Sequence, residues 1–131
     1  MKQKTIKIVS VPTGKQAFVK EISAELKSLQ NEVGGYIEVI YPFRDEEVAV
    51  VVNAEGKIDS LPLNRALQTE TFSGREITDI IAGDFFIVYA PIESENFESL
   101  TDDLLEKYLE MFKYSEKFYI KEQTIFIYRD K

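Results

Sequence analysis

Two adjacent polar residues, Asn64 and Arg65, are the side chains of this 131-residue sequence best suited to hold a ligand. A guanidinium presents its N–H donors in one plane and can bind a phosphate or a carboxylate through two hydrogen bonds. In this role Arg65 would bind the anionic group and Asn64 would orient it. The pair is equally compatible with a structural role, in which Arg65 forms an ion pair with Asp59 or Glu38. Asn64 would then cap a turn, and the sequence leaves both alternatives open.

Residues 13–15, with the sequence Thr-Gly-Lys, lie between a predicted strand and a predicted helix. Backbone N–H groups at the start of a helix favour an anion, and Lys15 would add a positive charge. A phosphate-binding loop of the Walker A type also needs a glycine five residues before the Gly-Lys pair and a hydroxyl residue after it. Those two positions hold Val9 and Gln16, which excludes a nucleotide hydrolase of this class. A weak anion site and an ordinary turn are the alternatives that remain.

Tyr36 and Glu38 are further candidates for contact with a ligand. The ring of Tyr36 could stack on a nucleobase. Glu38 interrupts an apolar strand and either faces solvent or meets a cation. Asp79 and Asp84 flank the turn at Gly83, where they either cap the turn or hold a metal ion. A magnesium-dependent enzyme that uses these two aspartates and Glu38 is therefore a third hypothesis.

The sequence contains no cysteine and no histidine, which excludes most kinds of catalytic site. A Ser-His-Asp triad, a Cys-His pair and a zinc site built from these residues are all impossible. Disulfide bonds are excluded for the same reason. We therefore expect a protein that is not an enzyme and that uses no cofactor or metal ion.

The formal net charge is −7 and the isoelectric point is about 4.7. This charge disfavours binding to DNA, RNA or an anionic membrane, because affinity for nucleic acid depends on neutralising phosphates. It would instead allow an acidic surface to imitate DNA and to block a DNA-binding protein. The acidic stretch 93–106 is either such a surface or an ordinary solvated helix face.

Nothing in the sequence predicts a membrane segment, since no stretch approaches the ~18–20 consecutive apolar residues that a spanning helix needs. The N-terminal apolar run 6–11 is short and contains Lys7 and Ser10, which is unlike a signal peptide. We expect a soluble, cytoplasmic protein with a single domain over residues 1–131.

The pattern of apolar residues predicts the elements that position the candidate residues. Strands are predicted over 5–11, 36–41, 47–52 and 124–128, and strand character is also predicted over 79–89 with a break at Gly83 and Asp84. The loop 42–46 joins the second and third strands into a hairpin. Apolar residues at spacings of three and four predict a helix over 16–32, which ends at Gly34.

A second main helix is predicted after Thr101, which would cap it, with Asp102 and Asp103 in its first turn. A short helix over 61–67 and an exposed, mobile loop over 69–78 are predicted between the strands. The predicted fold class is α+β, with a mostly antiparallel mixed sheet packed against two main helices.

Five motifs, in this order, resemble a domain of unknown function from phages, plasmids and other mobile elements of Firmicutes. They are VGGYIE at 33–38, NAEGK at 53–57, LPLNR at 61–65, DIIAG at 79–83, and LTD at 100–102 followed by Tyr108 and Phe112. The resemblance covers about residues 6–118 and leaves the tail 119–131, a predicted C-terminal strand, outside. The family has no known activity, so the resemblance implies a biological context and not a mechanism.

Small mobile-element proteins without catalytic residues are often counter-defence factors, and the resemblance implies such a role. The expected function is therefore the binding of a small anionic, nucleotide-derived ligand. The predicted ligand-binding residues are Arg65, Asn64, Tyr36, Lys15 and Glu38. The alternative is a protein–protein inhibitor of a host defence protein, with an acidic surface that imitates DNA as one form of it. The expected partners exclude nucleic acid and membranes and allow a homo-oligomer.

Overall fold

The computed structural model of the chain describes residues 4–43 and 47–130. Within these residues the chain forms nine strands and two helices. In chain order they are β1 (Thr5–Val11), β2 (Phe18–Ser23), α1 (Leu26–Val33), β3 (Ile37–Ile40), β4 (Val48–Asn53), β5 (Leu63–Thr71), β6 (Gly74–Ala82), β7 (Phe85–Tyr89), α2 (Asp102–Met111), β8 (Glu116–Lys121) and β9 (Thr124–Arg129). The α+β class, with an antiparallel sheet packed against two helices, is confirmed.

Five strands form the central antiparallel sheet, in the order β2-β1-β7-β4-β3. Side chains alternate between its faces: Ile6 and Ile8 of β1 belong to one core cluster, and Val9 and Val11 to the other. All of β4 except its last residue is buried, as its continuous apolar sequence predicts for a strand covered on both faces.

Each face of the central sheet is covered by a different layer. On one face, α1 contributes the buried residues Leu29 and Val33 to the core. On the other face lie α2, through Leu105 and Tyr108, and the hairpin of β5 and β6, through Leu67 and its neighbours. The sheet therefore separates α1 from α2, and the two sides of the molecule carry different candidate sites.

Several local predictions are confirmed. Gly34 ends α1 with a φ of 75° and donates its N–H to the Gln30 carbonyl, as a helix stop requires. Thr101 Oγ1 accepts a hydrogen bond from the Leu104 N–H at 3.3 Å and caps α2. The predicted hairpin of β3 and β4 is present, although residues 44–46 of its loop lie outside the described residues.

The helix predicted over 16–32 is wrong in its first half, where the chain forms β2. This strand pairs antiparallel with β1 over six residues and supplies the hydrogen-bond partners that this edge of β1 needs. The apolar spacing was misleading because Phe18 and Leu26 are 46% and 57% exposed, so the predicted stripe is not a buried face.

The short helix predicted over 61–67 and the mobile loop predicted over 69–78 are both wrong, because β5 and β6 form an antiparallel hairpin there. Gly74 has a φ of 109° at the turn, a conformation that favours glycine. The first five residues of β6 are exposed. A strand with a solvent-facing side is rich in polar residues, and its sequence therefore resembles that of a loop.

The last strand predicted over 124–128 is confirmed as β9, but the predicted tail is a hairpin and not a single strand. Glu122 and Gln123 join β8 to β9 with φ values of 49° and 68°. Two central residues with positive φ are typical of a type I′ hairpin turn, which glycine and asparagine usually signal. Neither is present here, and the turn was missed for that reason.

Candidate functional site

Asn64 and Arg65 both point into the interior because β5 has a bulge at this position. Leu63 lies opposite Ala82, and the next cross-strand pair joins Arg65 to Ile81. Asn64 is therefore the extra residue of the bulge. Neighbouring residues of a regular strand point to opposite faces, and a bulge removes this restriction. Both side chains are buried, with Arg65 only 1% exposed.

The side-chain amide of Asn64 joins two other segments of the fold. Its Nδ2 atom donates to the carbonyl of Val11 at 2.7 Å and to the carbonyl of Gly83 at 3.0 Å. Its Oδ1 atom accepts a hydrogen bond from Arg65 Nη1 at 2.7 Å. The donor and acceptor atoms of this amide are thus all used inside the protein.

The Arg65 guanidinium binds backbone carbonyl groups. Nη1 also donates to the Asn64 carbonyl at 3.3 Å. Nη2 donates to the carbonyl of Lys15 at 2.6 Å and to that of Phe112 at 3.0 Å. Since Lys15 lies between β1 and β2 and Phe112 follows α2, one guanidinium links the connection of two sheet strands to the end of a helix.

The interior position of Arg65 has an electrostatic cost. Burial of the guanidinium lowers the pKa of Arg65, while the negative charge of Glu116 acts in the opposite direction. Backbone carbonyls and the side-chain oxygen of Asn64, and not the carboxylates of Asp59 or Glu38, accept the hydrogen bonds of this guanidinium. The geometry favours the structural alternative, and anion binding by the Asn64–Arg65 pair stays a prediction.

Glu116 is a polar residue beside this pair that sequence reasoning missed. Its side chain is 5% exposed. Its Oε1 atom accepts from the Ala66 N–H at 2.8 Å, and its Oε2 atom accepts from Arg129 Nε at 3.1 Å. The sequence does not indicate that this glutamate is buried, because its contact with Ala66 depends on how β8 packs against β5.

The segment 13–15 connects two antiparallel strands. Because β2 and not a helix follows it, the helix start on which the predicted anion site depends is missing at this position. The Lys15 N–H donates to the Pro12 carbonyl at 3.2 Å, which forms an ordinary turn. Asp84 Oδ1 accepts from the Thr13 N–H at 2.8 Å and so caps this turn from the neighbouring connection. The Lys15 side chain is exposed.

Tyr36 lies on a cleft of about 530 Å³ at the C-terminal end of α1. The residue is 70% exposed. Besides Tyr36, the cleft is lined by residues of α1, of the α1–β3 connection, of β4 and of the following turn: Lys27, Gln30, Asn31, Gly34, Gly35, Asn53, Glu55 and Asp59. A concave surface with an accessible aromatic ring and several amides is a reasonable place for a small polar ligand.

Asn53, one of the lining residues, joins two segments of this cleft. Its Nδ2 atom donates to the Val33 carbonyl at 3.0 Å, and its Oδ1 atom accepts from the Glu55 N–H at 2.8 Å. Gly35 lies so close that a Cβ atom there would be 2.9 Å from Asn53 Nδ2. These contacts tie the end of α1 to the end of β4 and so hold the walls of the cleft together.

The charges around the cleft are mixed. Among its lining residues Lys27 is basic, while Glu55 and Asp59 are acidic. The C-terminal end of α1 adds a partial negative charge. Such a site suits a ligand that donates several hydrogen bonds and carries little negative charge.

Glu38 is exposed on β3 and lines a second cleft of about 100 Å³ beside Lys57 and Asp79. Lys57 Nζ lies 2.6 Å from Asp79 Oδ1. Within residues 4–43 and 47–130, no three His, Cys, Asp or Glu side chains form a group that could hold a metal ion. The carboxylates of Glu38, Asp79 and Asp84 therefore do not meet as the magnesium hypothesis requires.

The predicted ligand-binding residues fall into separate places. The structure brings Asn64 and Arg65 together with the backbone of Lys15 in the interior. Tyr36 lies on the larger cleft, and Glu38 on the smaller one. A single site that contains all five residues is therefore not formed.

Comparison with known proteins identifies a family for most of the chain. A family model described as a domain of unknown function (DUF3846) matches residues 6–113. No curated protein and no solved structure matches the chain. The matched region ends just after α2, so the hairpin of β8 and β9 follows it. In the part of the chain that the structure describes, no helix is both long and apolar enough to span a membrane.

Proposed function

The chain belongs to the DUF3846 family, whose function is unknown, and we propose that it is a non-enzymatic protein that binds a small nucleotide-derived ligand in the cleft at the end of α1. The observation that carries this proposal is that Tyr36, a residue lining that cleft, is 70% exposed. An accessible aromatic ring beside a cleft offers a stacking surface for a nucleobase, which is worth about 1–3 kcal/mol per base.

The other lining residues supply the remaining contacts of such a ligand. The amides of Gln30 and Asn31 can donate to and accept from the edge of a base. The carboxylates of Glu55 and Asp59 can accept from the two hydroxyl groups of a ribose. Lys27 can contact a phosphate. With one lysine against two carboxylates, the cleft favours a ligand with one phosphate charge over a polyphosphate.

The biological setting that we propose is that of a phage or another mobile element of Firmicutes, acting in the cytoplasm of the host. This setting rests on the motif resemblance of residues 33–38, 53–57, 61–65 and 79–83. In it, the protein would act as a sponge, removing a nucleotide-derived signal of host defence by binding it without chemical change.

Isothermal titration calorimetry with the purified protein tests the proposal. The probes are AMP, 3′,5′-cyclic AMP and GMP, cyclic dinucleotides and ADP-ribose. We expect one probe to bind and Tyr36→Ala to weaken it by roughly tenfold or more, which corresponds to the stacking energy of one base. Tyr41→Ala is the matched control, because Tyr41 is also exposed, at 64%, and does not line the cleft.

Two results would contradict the proposal. One is the absence of binding to any probe at millimolar concentration. The other is binding that Tyr36→Ala and Tyr41→Ala weaken equally, because an effect shared by both variants would not come from the cleft.

The outer face of α2 favours a second function, inhibition of a basic, DNA-binding host protein. Asp102, Asp103, Glu106 and Glu110 are all exposed on this helix. If this surface imitates DNA, complex formation with a host protein should weaken steeply with salt. The double variant Asp103→Lys with Glu106→Lys should abolish the complex, whereas Tyr36→Ala should leave it intact.

A further inference from the structure

The hairpin of β8 and β9 lies beyond the residues that the family model matches. It begins after residue 113, where the family match ends. It forms its own two-stranded sheet, separate from the central sheet and from the hairpin of β5 and β6. Near its base, Glu116 accepts the Ala66 N–H and so attaches the hairpin to β5. An isolated two-stranded hairpin is marginally stable in water, so we expect further contacts to stabilise this one.

Apolar side chains lie on both faces of the hairpin. The cross-strand pairs Phe118–Ile127 and Ile120–Ile125 form one face, and the pair Tyr119–Phe126 lies on the other. Ile120 is 71% exposed, and Tyr119, Ile125 and Phe126 are between 43% and 55% exposed. A patch of this kind on a soluble domain usually marks an interaction site.

The two strands differ in how their outer edges are protected. β8 carries Lys117 and Lys121, and charged side chains, lysine above all, are a common means of blocking pairing with another chain. β9 has the sequence Thr-Ile-Phe-Ile-Tyr-Arg, with no charge and no proline before Arg129. Its edge is therefore the one open to a further strand.

The charge distribution favours a second copy of this chain as the source of that strand. Residues 6–113 contain ten basic and twenty acidic residues, so two copies repel each other over most of their surface. Residues 114–130 contain three basic and three acidic residues. The hairpin is thus a place where two copies can meet without that repulsion, and it also has exposed apolar area to bury.

We propose that the chain forms a two-fold symmetric dimer in which β9 pairs antiparallel with β9 of a second copy. A two-fold axis perpendicular to the joined sheet places residues of the same face opposite each other. The axis then lies at one of the two central residues, Phe126 or Ile127. In both registers the β9 residues that lie opposite one another are apolar, aromatic or Thr124, apart from Arg129, which lies opposite Ile125 in one of them. Charged residues of like sign therefore do not face each other. The result is a four-stranded sheet across the dimer.

Sedimentation equilibrium of the full chain between about 1 and 100 µM tests the dimer directly. We expect a monomer–dimer equilibrium for the wild type. Phe126→Lys should weaken dimerisation at least tenfold, because the introduced lysine would lie directly opposite the same lysine of the second copy, or in the neighbouring cross-strand pair. The matched control is Phe72→Lys, the same substitution at an exposed phenylalanine in the turn between β5 and β6, which should leave the equilibrium unchanged.

A second measurement does not depend on the fold of the lysine variant. The chain has no cysteine, so a single introduced thiol can cross-link only to another copy. Residues directly opposite in an antiparallel pair have Cβ atoms about 4.5–5.5 Å apart, close to what a disulfide requires. Mild oxidation should therefore cross-link either Phe126→Cys or Ile127→Cys into a covalent dimer, and should leave Phe72→Cys monomeric.

Three results would each overturn the proposal. The first is a wild type that stays monomeric up to 100 µM, which would leave the hairpin to a different partner. The second is a dimer that persists unchanged in Phe126→Lys, which would move the interface elsewhere. The third is a failure of both hairpin cysteines to cross-link faster than the Phe72→Cys control.

Discussion

The Nη2 atom of Arg65 lies 3.0 Å from the carbonyl oxygen of Phe112, so an arginine of β5 caps the C-terminal end of α2. The last carbonyl groups of a helix lack partners within the helix, and a positive charge at this end also interacts favourably with the helix dipole. The same Nη2 atom donates to the Lys15 carbonyl at 2.6 Å. Arg65 thus fastens a helix of the outer layer to a loop of the central sheet.

Arg65→Ala should reduce the free energy of unfolding by roughly 3 kcal/mol or more, because several buried carbonyl groups would lose their donor. Urea denaturation followed by circular dichroism measures the change. Arg75→Ala, at an exposed position of β6, is the control and should alter stability by less than about 0.5 kcal/mol. A variant Arg65→Ala of normal stability that has lost ligand binding would instead establish Arg65 as a ligand residue.

Asn64→Ala should also destabilise the protein, by roughly 2–3 kcal/mol. The amide donates to the Val11 and Gly83 carbonyls, and no group of an alanine can replace it. The same denaturation experiment applies, with Asn96→Ala as the control in an exposed loop. A double variant of Asn64 and Arg65 should lose less than the sum of the two single variants, because the two side chains bond each other. Additive losses would show that the pair acts as two independent residues.

Tyr108 should make the protein sensitive to alkaline pH. Burial raises the pKa of Tyr108 from 10.0 to about 12, since the interior disfavours the phenolate. The folded state therefore resists deprotonation that the unfolded state undergoes. The associated stability is complete below pH 10 and is lost as the pH rises towards 12, to an extent on the order of 2 kcal/mol.

The variant Tyr108→Phe isolates this effect, because it removes the titrating group and keeps the ring. Denaturation midpoints of the two proteins should be compared from neutral pH to about pH 11. The wild type should lose more stability than Tyr108→Phe over the upper part of this range. Parallel pH profiles would show that Tyr108 does not contribute to the alkaline loss.

Thr101→Ala should cost about 1 kcal/mol through loss of the N-cap of α2. Thr101 Oγ1 accepts the Leu104 N–H, and alanine cannot do so. Thr101→Ser retains the hydroxyl and should be close to the wild type in thermal unfolding. Equal destabilisation by serine and alanine would assign the effect to packing of the threonine methyl group instead.

The fold class and the central strands could be predicted from the sequence, because the buried strands consist mostly of valine, isoleucine and phenylalanine. The sequence did not predict β2, whose apolar residues fit a helical spacing as well as a strand. The choice depends on β1, which needs a neighbour along that edge. Tertiary pairing of this kind overrides local preference and cannot be found in one segment alone.

The candidate site was only partly predictable for a different reason. Asn64 and Arg65 stood out as unusual polar residues, but the bulge that turns both inward depends on the register between β5 and β6. Tyr36 was singled out for its aromatic ring, and the structure gives it an accessible position on a cleft. The cleft itself combines α1 with the turn after β4, two segments more than twenty residues apart in sequence, so its other lining residues gave no signal.

The position of the Arg65 guanidinium has a consequence for the motions of the folded protein. It is bonded to the β1–β2 connection and to the end of α2, and its neighbour Asn64 is bonded to the end of β1 and to the turn before β7. None of these segments can open far without breaking a bond to this centre. Amide hydrogen exchange should therefore report a shared opening of α2 and of the hairpin of β5 and β6, with one common rate, whereas α1, on the far side of the sheet, should exchange independently.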